Sequence, residues 1–385
     1  MICCLKSQSR IIAICLLKFR RIDCKIFMKI VKIDRFICDR ILTVGCEFTP
    51  PRGGVAQILD TYDHDVYEVF NVCVNSKDGG LFQKLFILIS SFCRFVFKLF
   101  SDKRISIIHI HTASYNSFWR STFFVKASKL FNKRVILHIH GGDFKSFYMK
   151  APEKVIRVLS MCDVLIVLTE SWKMFFQSIP FYGKIEVVRN PVPLANAHLS
   201  YHGDGLVHFL YLGLLAKEKG IFDLLEVIAS SKEKYEGKLV LHVGGNGDVE
   251  KLIRMIDAEG LNKIVRYEGW VSGDHKRELL EKCDFTILPS YAEGLPVCLI
   301  EAISYGHYVI ASSVGGIPEL VTPELGALMI PGDKDRLSHL IDSSLEDVDI
   351  IRLKRGERRK AAEVYGTESV AKTLTDLYLK LMSDQ

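Results

Sequence analysis

From residue 40 onward, short apolar segments alternate with segments of helical periodicity, and this alternation restricts the possible folds more than any other feature of the chain. Apolar, β-branched runs predict buried strands, and the amphipathic segments between them predict the helices that connect parallel strands. The predicted strands of the first half are 41–46, 66–72, 105–111, 134–140, 164–169 and 185–189. Those of the second half are 207–212, 238–244, 265–269, 285–289, 308–312 and 327–330, with helices such as 221–230, 248–259 and 275–283 between them.

The two halves meet at Asn190-Pro-Val-Pro193 and the polar stretch 195–205, a composition typical of a linker between domains. A chain of 385 residues is long enough for two domains of ordinary size. We therefore predict an α/β protein with two Rossmann-like domains that face each other across a cleft. The domains span residues 39–195 and 205–365, and a carboxyl-terminal helix occupies 366–385.

The first 38 residues differ from the rest, because five of the eleven cysteines stand there among basic side chains. The apolar run within residues 1–38, residues 11–17, is too short to span a bilayer and lacks the features of a signal peptide. We predict that residues 1–38 form a poorly ordered extension. The later cysteines occur singly in apolar stretches, as buried free thiols do, which favours a reducing, cytoplasmic setting.

The net charge of +6 is mild for a chain in which 49% of residues are hydrophobic. Such a charge suits ligands that carry phosphate or an anionic membrane surface. No dense basic tract is present, so we predict that nucleic acid is not a partner.

Two carboxylates, Glu293 and Glu301, stand on either side of the turn Gly294-Leu-Pro296. An apolar strand precedes the turn and a helix follows it, so Glu293 is expected in a loop at the carboxyl end of a strand. Glu301 is expected about two turns into the helix. Loops at this edge of a doubly wound sheet bind ligands, and a carboxylate there can accept hydrogen bonds from sugar or ribose hydroxyls.

Glycine-rich loops follow four of the predicted strands. The loop 213–220, Gly-Leu-Leu-Ala-Lys-Glu-Lys-Gly, joins a strand to a helix and combines backbone amides, a helix amino terminus and Lys219, which together predict an anion site. It lacks the residue order of a Walker loop. The other three loops are 51–54, 244–247 and 313–319, and their glycines permit a ligand to approach the backbone closely.

With these motifs the chain resembles the retaining glycosyltransferases of the GT-B type, which have two Rossmann-like domains, and among them glycosyltransferase family 4 with its group 1 domain. The first half agrees through His138-Ile-His-Gly-Gly-Asp143, Thr169-Glu-Ser171 and Val188-Arg-Asn-Pro191. The likeness extends from about residue 40 to 380. Within the family, the chain resembles exopolysaccharide and capsule enzymes. It implies a metal-independent hexosyltransferase without a cofactor, whose partners are a nucleotide-diphosphate sugar donor and a saccharide or lipid-linked acceptor.

The resemblance also implies a role for individual residues. His140, Glu293 and Lys219 would be the catalytic residues: His140 near the transferred sugar, Glu293 facing the donor sugar and Lys219 neutralising the diphosphate. Glu301 would hold the ribose hydroxyls. The donor-binding residues would be Gly53, Gly54, Gly213, Lys217, Lys219, Gly294, Leu295 and Glu301.

One residue departs from the family pattern. The family usually carries arginine after the first glycine of the phosphate loop, where this chain has Leu214. The leaving diphosphate then lacks a bidentate partner, which a lysine such as Lys217 replaces only in charge. An alternative function follows from this departure, a catalytically silent subunit that binds nucleotide sugar within an assembly complex.

Breaking the bond between the anomeric carbon and phosphate leaves negative charge on the departing diphosphate, which Lys219 and loop amides would stabilise. No Asp-x-Asp motif ends a predicted strand, which favours the metal-independent reaction. The resemblance implies that configuration is retained by attack on the face that the diphosphate leaves, with the diphosphate taking the acceptor proton and no carboxylate acting as nucleophile. A glycosidase would also use two carboxylates, but it would not need the phosphate loops beside them.

Two further hypotheses concern a metal and a membrane. The pairs His109/His111 and His138/His140 could form a four-imidazole zinc site, although polar residues at buried strand ends explain them equally well, and we predict no metal.

In the helical segment 81–100, basic Lys84, Arg94 and Lys98 lie opposite an apolar side. The apolar side consists of Leu85, Ile89, Phe92, Val96 and Phe100. It packs either on the first sheet or against an anionic membrane, where the protein would bind peripherally at the inner, cytoplasmic face.

Overall fold

The computed structural model describes residues 32–51, 53–76, 80–195 and 205–383. Two six-stranded sheets, both entirely parallel, form the two domains. The predicted α/β class with two Rossmann-like domains is therefore confirmed.

The first sheet has the order β2-β1-β3-β4-β5-β6. Its strands are β1 (Ile41–Cys46), β2 (Val72–Ser76), β3 (Ile107–Thr112), β4 (Arg134–Ile139), β5 (Val164–Val167) and β6 (Lys184–Val187). Its helices are α1 (Arg35–Cys38), α2 (Gly54–Thr61), α3 (Leu81–Ser101), α4 (Asn116–Leu130), α5 (Phe144–Lys150), α6 (Pro152–Leu159) and α7 (Glu170–Gln177).

The second sheet has the order β12-β11-β10-β7-β8-β9. Its strands are β7 (Val207–Leu212), β8 (Leu239–Gly244), β9 (Val265–Gly269), β10 (Phe285–Leu288), β11 (Tyr308–Ser312) and β12 (Gly326–Met329). The helices of the second half are α8 (Ile221–Ser230), α9 (Lys232–Tyr235), α10 (Val249–Ala258), α11 (Gly273–Lys282), α12 (Val297–Ser304), α13 (Ile317–Leu320), α14 (Lys334–Glu346), α15 (Val348–Leu353), α16 (Arg355–Ala361) and α17 (Thr367–Ser383).

The strand orders determine where a ligand can bind. Strands β3 and β8 are buried along their whole length, as expected for strands covered by helices on both faces. The order reverses between β1 and β3 in the first sheet and between β7 and β10 in the second. Loops at the carboxyl ends of strands beside such a switch point form the ligand crevice of a doubly wound sheet. Three of the predicted loops, after β1, β7 and β10, lie at these positions.

Two predicted segments in the first half were wrong in detail. The predicted strand 66–72 does not form, because a π-helical turn, Tyr62–Val66, ends at its first residue and β2 begins only at Val72. Tyr62 and Val66 are fully buried one turn apart, so packing of this pair on the core favours the helical backbone.

Helix α3 buries only part of the predicted apolar side, of which Phe92 and Val96 pack partly buried against the core of the first domain. Phe95 and Leu99 are buried beneath the helix, whereas Leu85, Ile89 and Phe100 are exposed. The buried side of α3 contacts β2 and α4 and therefore faces the sheet. The remaining apolar residues of α3 lie on its outer side together with lysine and arginine.

The chain ends depart from the predicted division. Residues 32–38, which we assigned to the extension, fold onto the first domain, with Ile33 and Cys38 buried, while residues 1–31 lie outside the described residues. The final helix, α17, returns to the first domain: the Tyr378 hydroxyl lies 2.5 Å from that of Tyr67 and 2.6 Å from Nδ1 of His109. Burial of one face of α17 against the first domain explains this return.

The crossing between the domains is partly described. Most of the predicted linker, residues 196–204, lies outside the described residues. Just before it, Val192 pairs with Gly366 in a parallel bridge, and the Val192 amide donates to the carbonyl of Tyr365 at 2.9 Å. The outgoing and returning chains therefore run side by side.

Among the described residues, no helix combines the length and apolar character that crossing a bilayer requires. The described cysteines are free thiols.

A buried ion cluster fixes the returning segment to the second sheet. Asp284 accepts two hydrogen bonds from Arg352, at 3.0 and 2.8 Å, and one from Arg355 at 3.1 Å. The Asp284 side chain is 5% exposed. A buried carboxylate between two guanidinium groups is costly to remove, because both guanidinium groups then lose the charged partner that they share.

Replacing this carboxylate is expected to destabilise the protein. Asp284→Asn should lower the free energy of unfolding by about 3 kcal/mol, measured by urea denaturation. The matched control is Asp274→Asn, whose partner Arg277 and whose own side chain are 59% and 81% exposed. That variant should change stability by less than about 0.5 kcal/mol. Equal stabilities of the two variants would contradict the role of the cluster.

Candidate functional site

A cleft of about 760 Å³ lies between the domains, at the carboxyl ends of both sheets. Each domain contributes residues to its wall. The first domain supplies Gly53, Gly54 and Gln57, and the second supplies Gly213, Leu214, Lys219, Glu293 and Glu301. A side chain at Gly53 or Gly54 would meet nothing within 4 Å, so both glycines border open space in the cleft.

Glu293 is held in the loop after β10 by two donors. Its Oε1 accepts from Nζ of Lys219 at 2.6 Å and from the Ser290 hydroxyl at 2.8 Å. Lys219 reaches it because the 3₁₀ turn Lys217–Lys219 ends at Gly220, whose φ is +68°. A Cβ at Gly220 would lie 2.1 Å from the carbonyl oxygen of Pro289, so only glycine permits this approach. The predicted lysine and carboxylate thus form one ion pair in the cleft.

Glu301 lies in α12, just over one turn from the cap residue Pro296 rather than two. Its carboxylate is 9% exposed, and its Oε1 accepts two bonds. One comes from Nζ of Lys276 in α11 at 2.7 Å, and the other from Nε2 of Gln57 in α2 at 2.6 Å. Gln57 belongs to the first domain, so the second bond crosses the cleft.

The domains also touch through their backbones. A Cβ at Gly142 would lie 2.0 Å from the carbonyl carbon of Glu293, and one at Gly294 would lie 2.4 Å from the carbonyl oxygen of His140. The side-chain amide of Asn190 donates to the carbonyl of Leu295 at 2.7 Å. Gly294 and Leu295 therefore face the first domain and are not part of the cleft wall.

His140 directly follows β4. It lies beside His138 of β4 and beside His109 and His111 of the adjacent strand β3. Its Nε2 is 2.9 Å from Nδ1 of His111, and Nε2 of His109 is 3.2 Å from Nδ1 of His138. Burial lowers the pKa of His109 and of His140 to about 3, and it lowers the pKa of His111 and His138 well below the usual range. All four imidazoles are therefore neutral at physiological pH.

These imidazoles are the described side chains that could hold a metal. Nitrogen atoms of His109, His111 and His138 lie within 4.8 Å of one another. The rings are largely stacked, with centroids 4.1 Å apart for His138 and His140 and 4.4 Å apart for His109 and His111. Both ring nitrogens of His109 are hydrogen-bonded, whereas Nε2 of His111 and Nε2 of His138 are buried without a hydrogen-bond partner among the described residues. The absence of a metal stays a prediction.

The remaining predicted residues are not all brought together. Gly213 lines the cleft beside Leu214, which is 49% exposed there. Lys217 is exposed and is not among the residues of the cleft wall. The position that the family usually gives to arginine is thus an apolar side chain in the wall, and Lys217 does not replace it there.

Sequence reasoning missed several residues of the cleft. Gln57 follows Gly53–Gly54 by one helical turn, so helical spacing could have placed it on the side of α2 that faces the cleft. Lys276 and Trp270 follow β9, a strand that ends at the same edge as β7 and β10, and they carried no motif. Asn246 lies in the glycine loop after β8, which we considered only as a loop.

Comparison with known proteins identifies relatives of both domains. Residues 202–364 match the family described as Glycosyl transferases group 1, and residues 55–196 match the one described as Glycosyltransferase Family 4. An MMP α-(1→4)-mannosyltransferase of Mycolicibacterium hassiacum is 31% identical over 170 residues, which are 43% of this chain and 41% of that protein. The amylovoran biosynthesis glycosyltransferase AmsK of Erwinia amylovora is 24% identical over 269 residues, 66% of this chain and 65% of AmsK. The match spans less than half of the length of the first of these relatives.

Solved structures share the fold. Sucrose-phosphate synthase of Thermosynechococcus elongatus superposes with a TM-score of 0.71 at 19% identity, over 90% of this chain and 99% of that one. The Anabaena protein HepE in complex with UDP superposes with a TM-score of 0.69 at 16% identity, over 89% of this chain and 100% of that one. At these identities the likeness shows the fold alone.

The buried histidines predict how stability changes with pH. Unfolded histidines bind protons below a pKa of about 6.5, whereas His109 and His140 in the folded protein bind them only near 3, so protons favour the unfolded state. The free energy of unfolding should therefore fall as pH decreases from about 7.5 to 5.5, by up to about 1.4 kcal/mol per pH unit for each such histidine. Urea denaturation at both pH values measures it.

A matched pair of variants isolates the effect. His109→Asn should make this fall shallower by about one proton, whatever its effect on absolute stability. His339→Asn, at an exposed position in α14, should leave the fall unchanged. The same pH dependence in both variants would show that the buried imidazoles are not its source.

Proposed function

Because the chain belongs to the GT-B glycosyltransferases with family 4 and group 1 domains, we propose that it transfers a sugar from a nucleotide-diphosphate sugar to a hydroxyl of a saccharide or lipid-linked acceptor. We propose that the reaction retains the anomeric configuration and needs no metal. The observation that carries this function is the Lys219–Glu293 ion pair, which faces the same cleft as Glu301 and the glycines of both domains.

The positive charge of Lys219 and the open space beside the glycines support a position for the donor. The diphosphate lies against Gly213 and the open glycines Gly53 and Gly54, within reach of Lys219. Glu293 uses Oε1 for Lys219 and Ser290, and its second oxygen, which has no hydrogen bond to a described residue, accepts from a sugar hydroxyl. Glu301 accepts from the ribose. In this arrangement neither Glu293 nor Glu301 acts as a nucleophile.

The chemical step depends on the leaving group. As the bond between the anomeric carbon and phosphate breaks, negative charge grows on the diphosphate, and Lys219 stabilises it in a site that is partly closed to water. The acceptor hydroxyl attacks from the face that the diphosphate leaves, and a diphosphate oxygen takes its proton. His140 is neutral, and its carbonyl oxygen lies against Gly294, so in this proposal it contributes to the shape of the sugar site rather than to proton transfer.

Polysaccharide synthesis is the process that the relatives favour. AmsK carries amylovoran biosynthesis in its name, and TuaC of Bacillus subtilis, 32% identical over 132 residues, is described as a putative teichuronic acid biosynthesis glycosyltransferase. The match covers 34% of this chain and 31% of TuaC. Both descriptions support a growing cell-surface polysaccharide or its lipid-linked precursor as the acceptor.

Turnover of nucleotide sugars tests the donor site. A screen of UDP- and GDP-sugars, measuring released nucleoside diphosphate, should identify a donor. Lys219→Ala and Glu293→Ala should each reduce kcat about 100-fold or more, because one loses the charge on the leaving group and the other loses the partner that orients it. The exposed pair Lys263 and Glu236 provides matched controls, and their alanine variants should keep the wild-type rate.

Two results would contradict this function. If both Lys219→Ala and Glu293→Ala turn over normally while folded, the site is assigned wrongly. If the wild-type protein binds nucleotide sugars but releases no diphosphate with any acceptor tried, the protein is the silent binding subunit. Leu214 in the cleft wall is the observation that favours this second function.

We also propose that the outer side of α3 binds the cytoplasmic face of an anionic membrane, where lipid-linked acceptors lie. Its exposed aromatic side chains are prominent, with Phe82 at 89% and Phe86 at 72% exposure. Helix α3 contains Lys84, Arg94 and Lys98 and no carboxylate, and α4 and α5 also carry basic residues without an acidic one. Apolar area together with positive charge is what interfacial binding requires.

Vesicle sedimentation tests this surface. The protein should bind vesicles of phosphatidylcholine with about one third phosphatidylglycerol at low salt, bind vesicles of phosphatidylcholine alone weakly, and dissociate at about 0.5 M salt. The double variant Phe82→Ser/Phe86→Ser should bind several-fold more weakly. Leu353→Ser, which removes an apolar side chain 86% exposed on the second domain, is the control. No binding to the anionic vesicles at low salt would disprove membrane contact.

A further inference from the structure

We propose that Gln57 and Lys276 are positioning residues that hold Glu301 for the ribose of the donor, so that the ribose site is complete only when the first domain is closed on the second. The inference rests on the proposed function, because it takes a nucleotide donor as given. It adds two residues that carry no sequence motif, and one of them comes from the opposite domain.

The two carboxylate oxygens of Glu301 differ in their hydrogen bonds. Both protein donors, Nζ of Lys276 and Nε2 of Gln57, bond to Oε1, at 2.7 and 2.6 Å. Oε2 makes no hydrogen bond to any residue that the structure describes. An ionised carboxylate has about four acceptor positions, so a ribose hydroxyl can donate to Oε2 without displacing either residue.

A second feature of the site is the conformation of Glu301. A glutamate side chain has three rotatable bonds, and losing their freedom on ligand binding weakens affinity. With Oε1 bonded from two directions, the carboxylate is oriented before the nucleotide arrives. Lys276 also supplies a counter-charge to a carboxylate that is 9% exposed, and its own side chain is 23% exposed. The two donors therefore hold the Glu301 carboxylate in one orientation.

A third feature is the domain from which each residue comes. Gln57 lies in α2, which begins at the Gly53–Gly54 loop of the first domain, and Glu301 lies in α12 of the second. The bond between them exists only when the cleft is closed. If ribose binds better to Glu301 in this held orientation, the nucleotide favours the closed state, and closure in turn raises affinity for the nucleotide.

The opposite arrangement makes an opposite prediction. If the Gln57–Glu301 bond were only a contact of the empty cleft, the ribose would have to displace it, and removing Gln57 would strengthen nucleotide binding. The sign of the change in affinity therefore separates a positioning residue from a competitor.

The experiment compares a nucleoside diphosphate with its 2′,3′-dideoxy analogue by calorimetry, using the base that the wild-type protein binds best among UDP, GDP and ADP. A hydrogen bond to a charged group corresponds to about a tenfold or greater difference in Kd between the two nucleotides. Glu301→Ala should abolish this difference. Gln57→Ala and Lys276→Ala should weaken binding of the diphosphate and shrink the difference several-fold, with little change in thermal stability.

Further variants make the result specific. Lys276→Arg should retain most of the discrimination, because it keeps the cation beside Oε1. Gln57→Glu should bind the nucleotide more weakly than Gln57→Ala, since it places a second carboxylate against Glu301. Gln177→Ala, which removes an exposed amide from α7, should behave as wild type.

Three outcomes would overturn the inference. Gln57→Ala that binds the nucleotide as tightly as wild type, or more tightly, would show that Gln57 does not position Glu301. Full discrimination in Glu301→Ala would show that the ribose lies elsewhere. A wild-type protein that binds none of the three diphosphates would overturn the proposed donor site together with this inference, whereas the first outcome leaves the donor site standing and the second removes only the ribose contact of Glu301 from it.

Discussion

The backbone of the loop after β4 lies directly against the backbone of the loop after β10, and the rest of the site depends on this contact. Gly142 and Gly294 make it possible, since a Cβ at either position would lie 2.0 or 2.4 Å from backbone atoms of the other domain. A methyl group at either position would push the two sheets apart. Gln57 would then lose Glu301, and Lys219 and Glu293 would face a wider, wetter cleft, in which their charges act on a ligand more weakly. The conformational freedom that glycine loses on folding is the cost of this closeness.

The charges of the cleft are largely matched before any ligand is bound. Lys219 is paired with Glu293, and Lys276 with Glu301. A donor diphosphate therefore enters a site whose nearest cation is already shared, and Leu214 adds no charge where the family usually has arginine. The proposed reaction would accordingly rely on orientation, with Lys219 held by Glu293 at a fixed point, more than on a surplus of positive charge. The two carboxylates are held alike, because each accepts its hydrogen bonds from two described side chains at Oε1.

Local pattern was sufficient for most of the fold, because parallel strands are apolar along their length. The predicted bounds of β1, β7, β9 and β11 coincide with the observed ones. Pattern failed where packing between distant segments decides the structure: burial of Tyr62 and Val66 produced a π-helical turn, and the sheet selected the side of α3 that is buried. The same limit applies to the site. Glu293 and Lys219 stand in recognisable loops, whereas Gln57 is 244 residues from Glu301 in the sequence, and nothing local to either residue indicates the bond.

The chain passes between the domains twice, and contacts at both passages hold the domains together. The two passages run side by side at the Val192–Gly366 bridge, and α17 stays on the first domain through Tyr378. Relative motion that preserves the bridge must break other contacts, among them Gln57 to Glu301 and the bonds from the amides of Glu170 and Ser171 to Glu319. Bonds of this kind to charged groups near water contribute only about 1–3 kcal/mol each. A nucleotide whose affinity for the closed state exceeds its affinity for the open state by about a hundredfold would supply about 2.7 kcal/mol, as much as the strongest of these bonds.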